Sequence, residues 1–210
     1  MSNKLIEIFN DEKLIAKIKS RLPHLFQIAE LESSRAGKIG MEVGSLREKI
    51  ITALLIYKFG KENVETEIPI TESEIDANLF GTSISIKTIT GTGFSGVKLV
   101  WTVDAQKADE FRKNYQPSYD LLLVQINWGG IGGFYYIPLK SQQEIFNQMG
   151  RENYIQLPKP GTNPRGAEIT KKALLSLVRH KDTKIIEIPW EKTIIEFSPY
   201  KRWVDYWEED

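Results

Sequence analysis

The chain has no cysteine and only two histidines, His24 and His180, which stand far apart. Disulfides and thiolate metal sites are therefore excluded, and so is a histidine-rich zinc site. Any bound metal needs oxygen ligands, which favours magnesium or a similar hard cation. Long apolar runs are also missing: none approaches the roughly 20 residues that a spanning helix requires. The N-terminus, MSNKLIEIFNDEKL, is charged from its fourth residue and does not resemble a signal peptide. The expectation is a soluble, cytoplasmic protein with no membrane contact. Net charge is absent as well, since 28 Lys and Arg balance 28 Asp and Glu, so bulk charge argues neither for nor against a nucleic-acid partner.

What is present describes a folded protein. An apolar fraction of 41%, five Trp and eight Tyr exclude a disordered chain, and 210 residues suffice for one well-cored domain or one with an appended lobe. The charge is unevenly distributed. Glu62 to Asp76 holds six acidic residues and no basic one, whereas Leu157 to Lys184 holds seven Lys or Arg against Glu168 and Asp182. Such blocks can set a basic surface beside an acidic pocket.

Periodicity predicts the elements. NKLIEIFNDEKLIAKIKSRL and, after Pro23, PHLFQIAELESS read as two helices, so residues 1–40 form a helical element with a possible role in dimerisation, and 41–210 the main domain. LREKIITALLIYKFG is a helix with a stripe of Leu46, Ile50, Leu54, Leu55 and Phe59, stopped at Gly60. NVETEIPI, SEIDANLF and TSISIKTIT form an antiparallel meander, and KLVWTV a further strand. DAQKADEFRKNY is a helix capped by Asp104, YDLLLVQINW a buried strand, GGIGG a tight turn and FYYIPL the returning strand. SQQEIFNQM is a helix with a Ser141/Glu144 capping box, AEITKKALLSLVRH another helix, and TKIIEIPWEKTIIEF one or two strands. The fold class is α/β (α+β): a central mixed sheet flanked by helices. The aromatic C-terminus, YKRWVDYWEED, is expected to pack on its own core.

Within the meander, Asp76 and, nine residues after it, Ser85-Ile86-Lys87 interrupt the apolar alternation. An alternating strand can simply turn Asp76 to solvent. Equally, a carboxylate and an amine converging from neighbouring strands suit metal-assisted phosphodiester cleavage, the acid holding magnesium and the lysine serving the attacking water and the phosphate charge.

Glu48 on a helix, Asp76, and then Ser85-Ile86-Lys87 resemble the PD-(D/E)XK nuclease core over residues 44–124, with the following helix and buried strand in place. The resemblance implies a restriction-endonuclease-like fold and a magnesium-dependent type II restriction endonuclease. Such an enzyme cuts double-stranded DNA at a short palindrome as a homodimer and leaves 5′-phosphate ends. It implies Asp76, Lys87, Glu48 and Ser85 as catalytic positions and Asp76, Glu48 and Ile86 as metal positions. Two letters depart from the pattern: Ile75 replaces the proline, and Ser85 replaces an acidic residue. The missing carboxylate must come from elsewhere, with Glu48 the first candidate and Glu42 and Asp104 the alternatives. Glu48 also has an ordinary reading as a solvated residue of the polar helix face.

Two segments suit DNA contacts. PKPGTNPRGAEITKK offers Asn163 and Arg165, which can read adenine and guanine edges, followed by Lys171 and Lys172 for phosphates. TGTGFSGVKLVW offers Thr90, Thr92, Ser95 and Lys98 on a glycine-rich backbone that admits a phosphate closely. Both also read as plain surface loops. The competing functions are a repair or junction-specific nuclease and a sequence-specific DNA-binding protein whose nuclease core has lost activity.

Overall fold

The computed structural model describes residues 4–35, 38–40, 42–69, 74–158 and 166–209. In chain order the elements are α1 (Ile6–Asn10), α2 (Glu12–Glu32), β1 (Ser34–Arg35), β2 (Lys38–Ile39), α3 (Val43–Phe59), a 3-10 turn (Lys61–Asn63), β3 (Val64–Glu65), β4 (Ala77–Leu79), β5 (Thr82–Thr90), β6 (Val97–Val100) and α4 (Ala105–Asn114). There follow β7 (Asp120–Ile126), β8 (Gly130–Ile137), α5 (Leu139–Met149), α6 (Arg151–Tyr154), β9 (Ile155–Gln156), β10 (Ala167–Ile169), α7 (Lys171–Val178), β11 (Lys184–Trp190) and α8 (Lys201–Glu208).

The main sheet runs β11-β8-β7-β5-β4-β3. The β5–β7 pair is parallel and the other pairs are antiparallel. A parallel pair needs a long crossover, and residues 91–119, with α4, provide it. Strand β7 is buried at every position because both faces of the sheet are covered. Its alternation sends Leu122 and Val124 into one apolar cluster with α1, α2, α3, Phe134 and Trp190. Leu121 and Leu123 enter the other, with Tyr115, Phe146, Leu174 and Leu177.

Several local expectations shift. The first helix break falls at Asp11, whose carboxylate caps α2 by accepting from Leu14 N at 3.0 Å, and not at Pro23. Pro23 sits inside α2, where it has no N–H to donate to the carbonyl of Lys19. In α3 the buried positions are Arg47, Ile51 and Leu55; Leu55 belongs to the expected stripe, while Ile50, Leu54 and Phe59 pack against the core only partly buried. Strand β8 begins within GGIGG, so the turn covers only its start. Gly132 and Gly133 lack side chains where the Trp190 and Tyr135 rings pack. Helix α5 starts at Leu139 without a capping box: Asp120 Oδ1 of β7 accepts from Leu139 N at 2.7 Å, and Ser141 lies buried inside the helix. Residues Ala167–Ile169 form a strand before Thr170 caps α7. The C-terminal helix does not pack on the core: no residue of α8 is buried, and Trp203, Val204, Tyr206 and Trp207 are exposed. Among the described residues, no helix is long and apolar enough to cross a membrane.

Candidate active site

The site starts from a two-residue turn. Phe80 and Gly81 both have positive φ, 49° and 77°, the conformation that joins antiparallel strands through a type I′ connection. Glycine adopts it without strain, and the turn pins Leu79 opposite Thr82 and Ala77 opposite Ile84. Counting back one residue sets Asp76 level with Ser85. Among the described residues, β4 pairs with β5 only over Thr82–Ile84, so the longer β5 carries an open edge from Ser85 onward.

Asp76 closes that edge with its side chain. Its Oδ2 accepts from Ile86 N at 2.6 Å, from Lys87 Nζ at 3.0 Å and from Ser85 Oγ at 3.3 Å. The ion pair is well shielded, with side-chain exposures of 15% for Lys87 and 19% for Asp76. All three bonds converge on one carboxylate oxygen, and among the described residues Oδ1 accepts none. Ile86 turns its N–H to this edge, and the carbonyl of a strand residue points the same way as its N–H. That carbonyl is the one group through which Ile86 can serve a cation.

Glu48 approaches from α3, which packs across β5. Its carboxyl is pushed up to about 7, by burial first and by the nearby charge of Asp76 second, with Lys87 pulling the other way. Ser85 is fully buried and acts as a donor to Asp76, so its side chain stands as a hydrogen-bond partner of the acid. Glu42 is exposed at the start of α3, and Asp104 is occupied as the cap of α4, accepting from Gln106 N at 2.9 Å and Lys107 N at 3.2 Å.

A further acid, Glu74, lies within electrostatic reach of Lys87. Its carboxyl is pushed up to about 7 by burial, which outweighs a hydrogen bond from the Tyr119 hydroxyl and the charge of Lys87. Glu74 is not among the acids expected from the motif, although alternation sets residues two apart on one side and so pairs it with Asp76.

The donor set fits magnesium. The carboxylates of Asp76 and Glu48 and the carbonyl of Ile86 would be oxygen donors of the kind this ion takes. The ordinary metal cage is absent: among the described residues, no group of three or more His, Asp or Glu surrounds one point. Partly buried acids facing a single lysine form a locally electron-rich pocket that a divalent cation would neutralise.

The two candidate DNA segments are brought together by the second sheet, β6-β10-β9. Strand β6 follows the 90–96 loop, and β10 precedes the first turn of α7, where Lys171 and Lys172 are exposed. Lys98 is partly engaged, pairing with Glu168 at 3.5 Å and lying 4.5 Å from the Trp101 ring centre. Thr92 and Ser95 are exposed, and Gln125 Nε2 holds the loop by donating to the Gly91 and Thr92 carbonyls at 3.2 and 3.3 Å. Thr90, also exposed, accepts a long contact of 3.5 Å from Arg47 Nη1. Asn163 and Arg165 lie outside the described residues.

A mixed sheet carrying an acid–lysine pair on its open edge, with a helical glutamate alongside, is the framework of a restriction endonuclease. Comparison with known proteins supplies the family: the model described as "Restriction endonuclease ThaI" matches residues 8–209, and the chain belongs to that family. It is an endodeoxyribonuclease. A solved structure described as "Restriction endonuclease in complex with substrate DNA" is 57% identical, covers 99% of this chain and 100% of its own, and superposes with a TM-score of 0.93. No curated protein matches the chain.

Proposed function

We propose that this endonuclease is a magnesium-dependent type II restriction enzyme that acts as a homodimer on a short palindromic site in double-stranded DNA. The observation that carries this reading is the convergence of Asp76, Lys87 and Glu48 on one open strand edge. DNA as substrate is supported by the DNA-bound relative at 57% identity. Membership in a restriction family favours site-specific cutting over repair or junction resolution, and favours an active enzyme over an inactive binding protein.

In this reading Asp76, Glu48 and the Ile86 carbonyl hold the cation, which supplies Lewis-acid stabilisation of phosphate charge. Asp76 is oriented by three donors, so its geometry is set before substrate arrives. Lys87 stands beside the acid with its ammonium able to swing from Asp76 to a water or a phosphate oxygen, aligning the nucleophile and offsetting developing negative charge. Ser85 donates to Asp76 and holds its rotamer. In-line attack by the positioned water breaks the bond to the 3′ oxygen and leaves a 5′-phosphate. Lys171 and Lys172, with Thr90, Thr92, Ser95 and Lys98, contact the backbone, and Asn163 and Arg165 read bases. A two-fold dimer matches a palindrome by symmetry, with the N-terminal helical element contributing to its interface.

Digestion of a plasmid of known sequence tests the reading. Discrete fragments with magnesium, and none with calcium, are expected. Cutting confined to branched DNA, or no cutting with any divalent ion, would overturn it.

A further inference from the structure

The carboxylate of Glu30, buried in α2, collects donors from three distant parts of the chain: Arg47 Nη2 at 2.6 Å, Trp128 Nε1 at 2.8 Å and Lys192 Nζ at 3.0 Å. Arg47 is itself buried, and its other terminal nitrogen makes the 3.5 Å contact to Thr90 Oγ1. Arg47 immediately precedes Glu48 in α3, and Thr90 lies three residues beyond Lys87 in β5. One guanidinium therefore joins the helix that carries Glu48 to the strand that carries Lys87.

Among the described residues, the first turn of α3 has no side-chain cap: its N-cap position, Glu42, makes no such bond, and an uncapped first turn leaves backbone donors without protein partners. A buried ion pair is also a poor way to obtain stability alone, because apolar side chains of similar volume do as well or better. The forked geometry of arginine, which lysine lacks, lets one side chain grip two elements at once.

We infer that Arg47, held by Glu30, is a positioning residue of the nuclease site: it sets the axial and rotational placement of α3 against β5 and thereby aims Glu48 at Asp76 and the cation between them. The inference rests on the reading of Glu48 as a cation ligand.

The test compares Arg47→Lys, Glu30→Gln, Lys192→Ala and Glu48→Gln in the full chain. Calcium is titrated calorimetrically into protein bound to a duplex carrying the site found by plasmid digestion. The magnesium concentration for half-maximal cleavage and the thermal midpoint are measured alongside. Arg47→Lys and Glu30→Gln are expected to weaken calcium binding about tenfold, the lower end of what supporting residues of metal sites contribute. Lys192→Ala is expected to change it by less than about twofold, because that side chain is half exposed and leaves the Arg47 contacts in place. Unchanged calcium affinity in Arg47→Lys with a lowered thermal midpoint would make the pair a structural brace and overturn the inference. Should either variant fail to fold, the double substitution Glu30→Met with Arg47→Met removes both charges together; unchanged calcium binding there overturns the inference equally. If Glu48→Gln leaves calcium binding unaltered, the ligand assignment itself falls and the inference with it. If Glu48→Gln weakens binding and Arg47→Lys does not, only the positioning role falls.

Discussion

Lys87 and Asp76, eleven residues apart in sequence, form a shielded ion pair at 3.0 Å on the edge of β5 where β4 has already ended. The pair exists because a two-residue turn sets the register of the hairpin, and the register sets the aspartate level with the Ser85-Ile86-Lys87 strand. Chemistry and hairpin geometry are thus one arrangement.

Lys87→Ala and Asp76→Asn are expected to lower the single-turnover cleavage rate by about 10²- to 10⁴-fold, the range for a positioned group that assists proton transfer. Lys87→Ala should still bind its duplex in calcium. Retention of full cleavage in either variant would remove the pair from the mechanism.

Glu48 has a folded-state value near 7 against an ordinary 4.5, raised first by burial and then by Asp76. The native protein therefore holds this proton more tightly than the unfolded chain does. The associated stability is fully present below pH 4.5 and is lost as pH rises toward 7. For Glu48 the loss amounts to at most ~2 kcal/mol after allowance for partial solvent screening. Glu74 contributes in the same direction. Denaturant titrations of the cation-free protein across this window should show the decline, and Glu48→Gln should flatten it; an identical slope in the variant would contradict the buried-acid assignment. Cleavage at limiting magnesium should rise over the same interval, because a cation ligand must be ionised.

Ser85→Ala removes a long donor to Asp76 while two others remain. The expected outcome is a loss of about 1 kcal/mol in stability and less than about tenfold in cleavage rate. A loss as large as that of Asp76→Asn would mean that the hydroxyl has a direct part in the reaction.

Gly81→Val introduces a β-branched residue at a φ of 77° in open space, so the penalty is conformational rather than steric with neighbours. A destabilisation of about 1–2 kcal/mol is expected. Cleavage should fall further than stability explains, since a slipped register separates Asp76 from Lys87. Urea unfolding and plasmid digestion of one preparation measure both effects; unaltered digestion would show that the turn does not govern the site.

Most elements were legible because their signals are local. The apolar run of β7, the capping carboxylate of Asp104, the stop at Gly60 and the alternation around Asp76 each depend on residues within one or two turns of chain. The misread elements are those in which distant packing overrode a local signal. Asp120 replaced the Ser141/Glu144 capping box, and the Trp190 ring packed against glycines that read as a turn. α8 presents its aromatic residues outward, where hydrophobicity alone suggested burial.

By itself the sequence determined the hairpin and therefore the meeting of Asp76 with Lys87, because turn chemistry and strand pleat act over a few residues. It also determined, by withholding cysteine and spacing two histidines apart, that only oxygen donors are at hand. Tertiary structure alone decided which acids lie within electrostatic reach of that pair: Glu48 feels both charges, and Glu74 feels that of Lys87. The rotation of α3 that buries Arg47 against Glu30 and brings Glu48 toward β5 follows from how α2, α3 and the sheet share one apolar interior, and no periodicity within seventeen residues of helix encodes that choice.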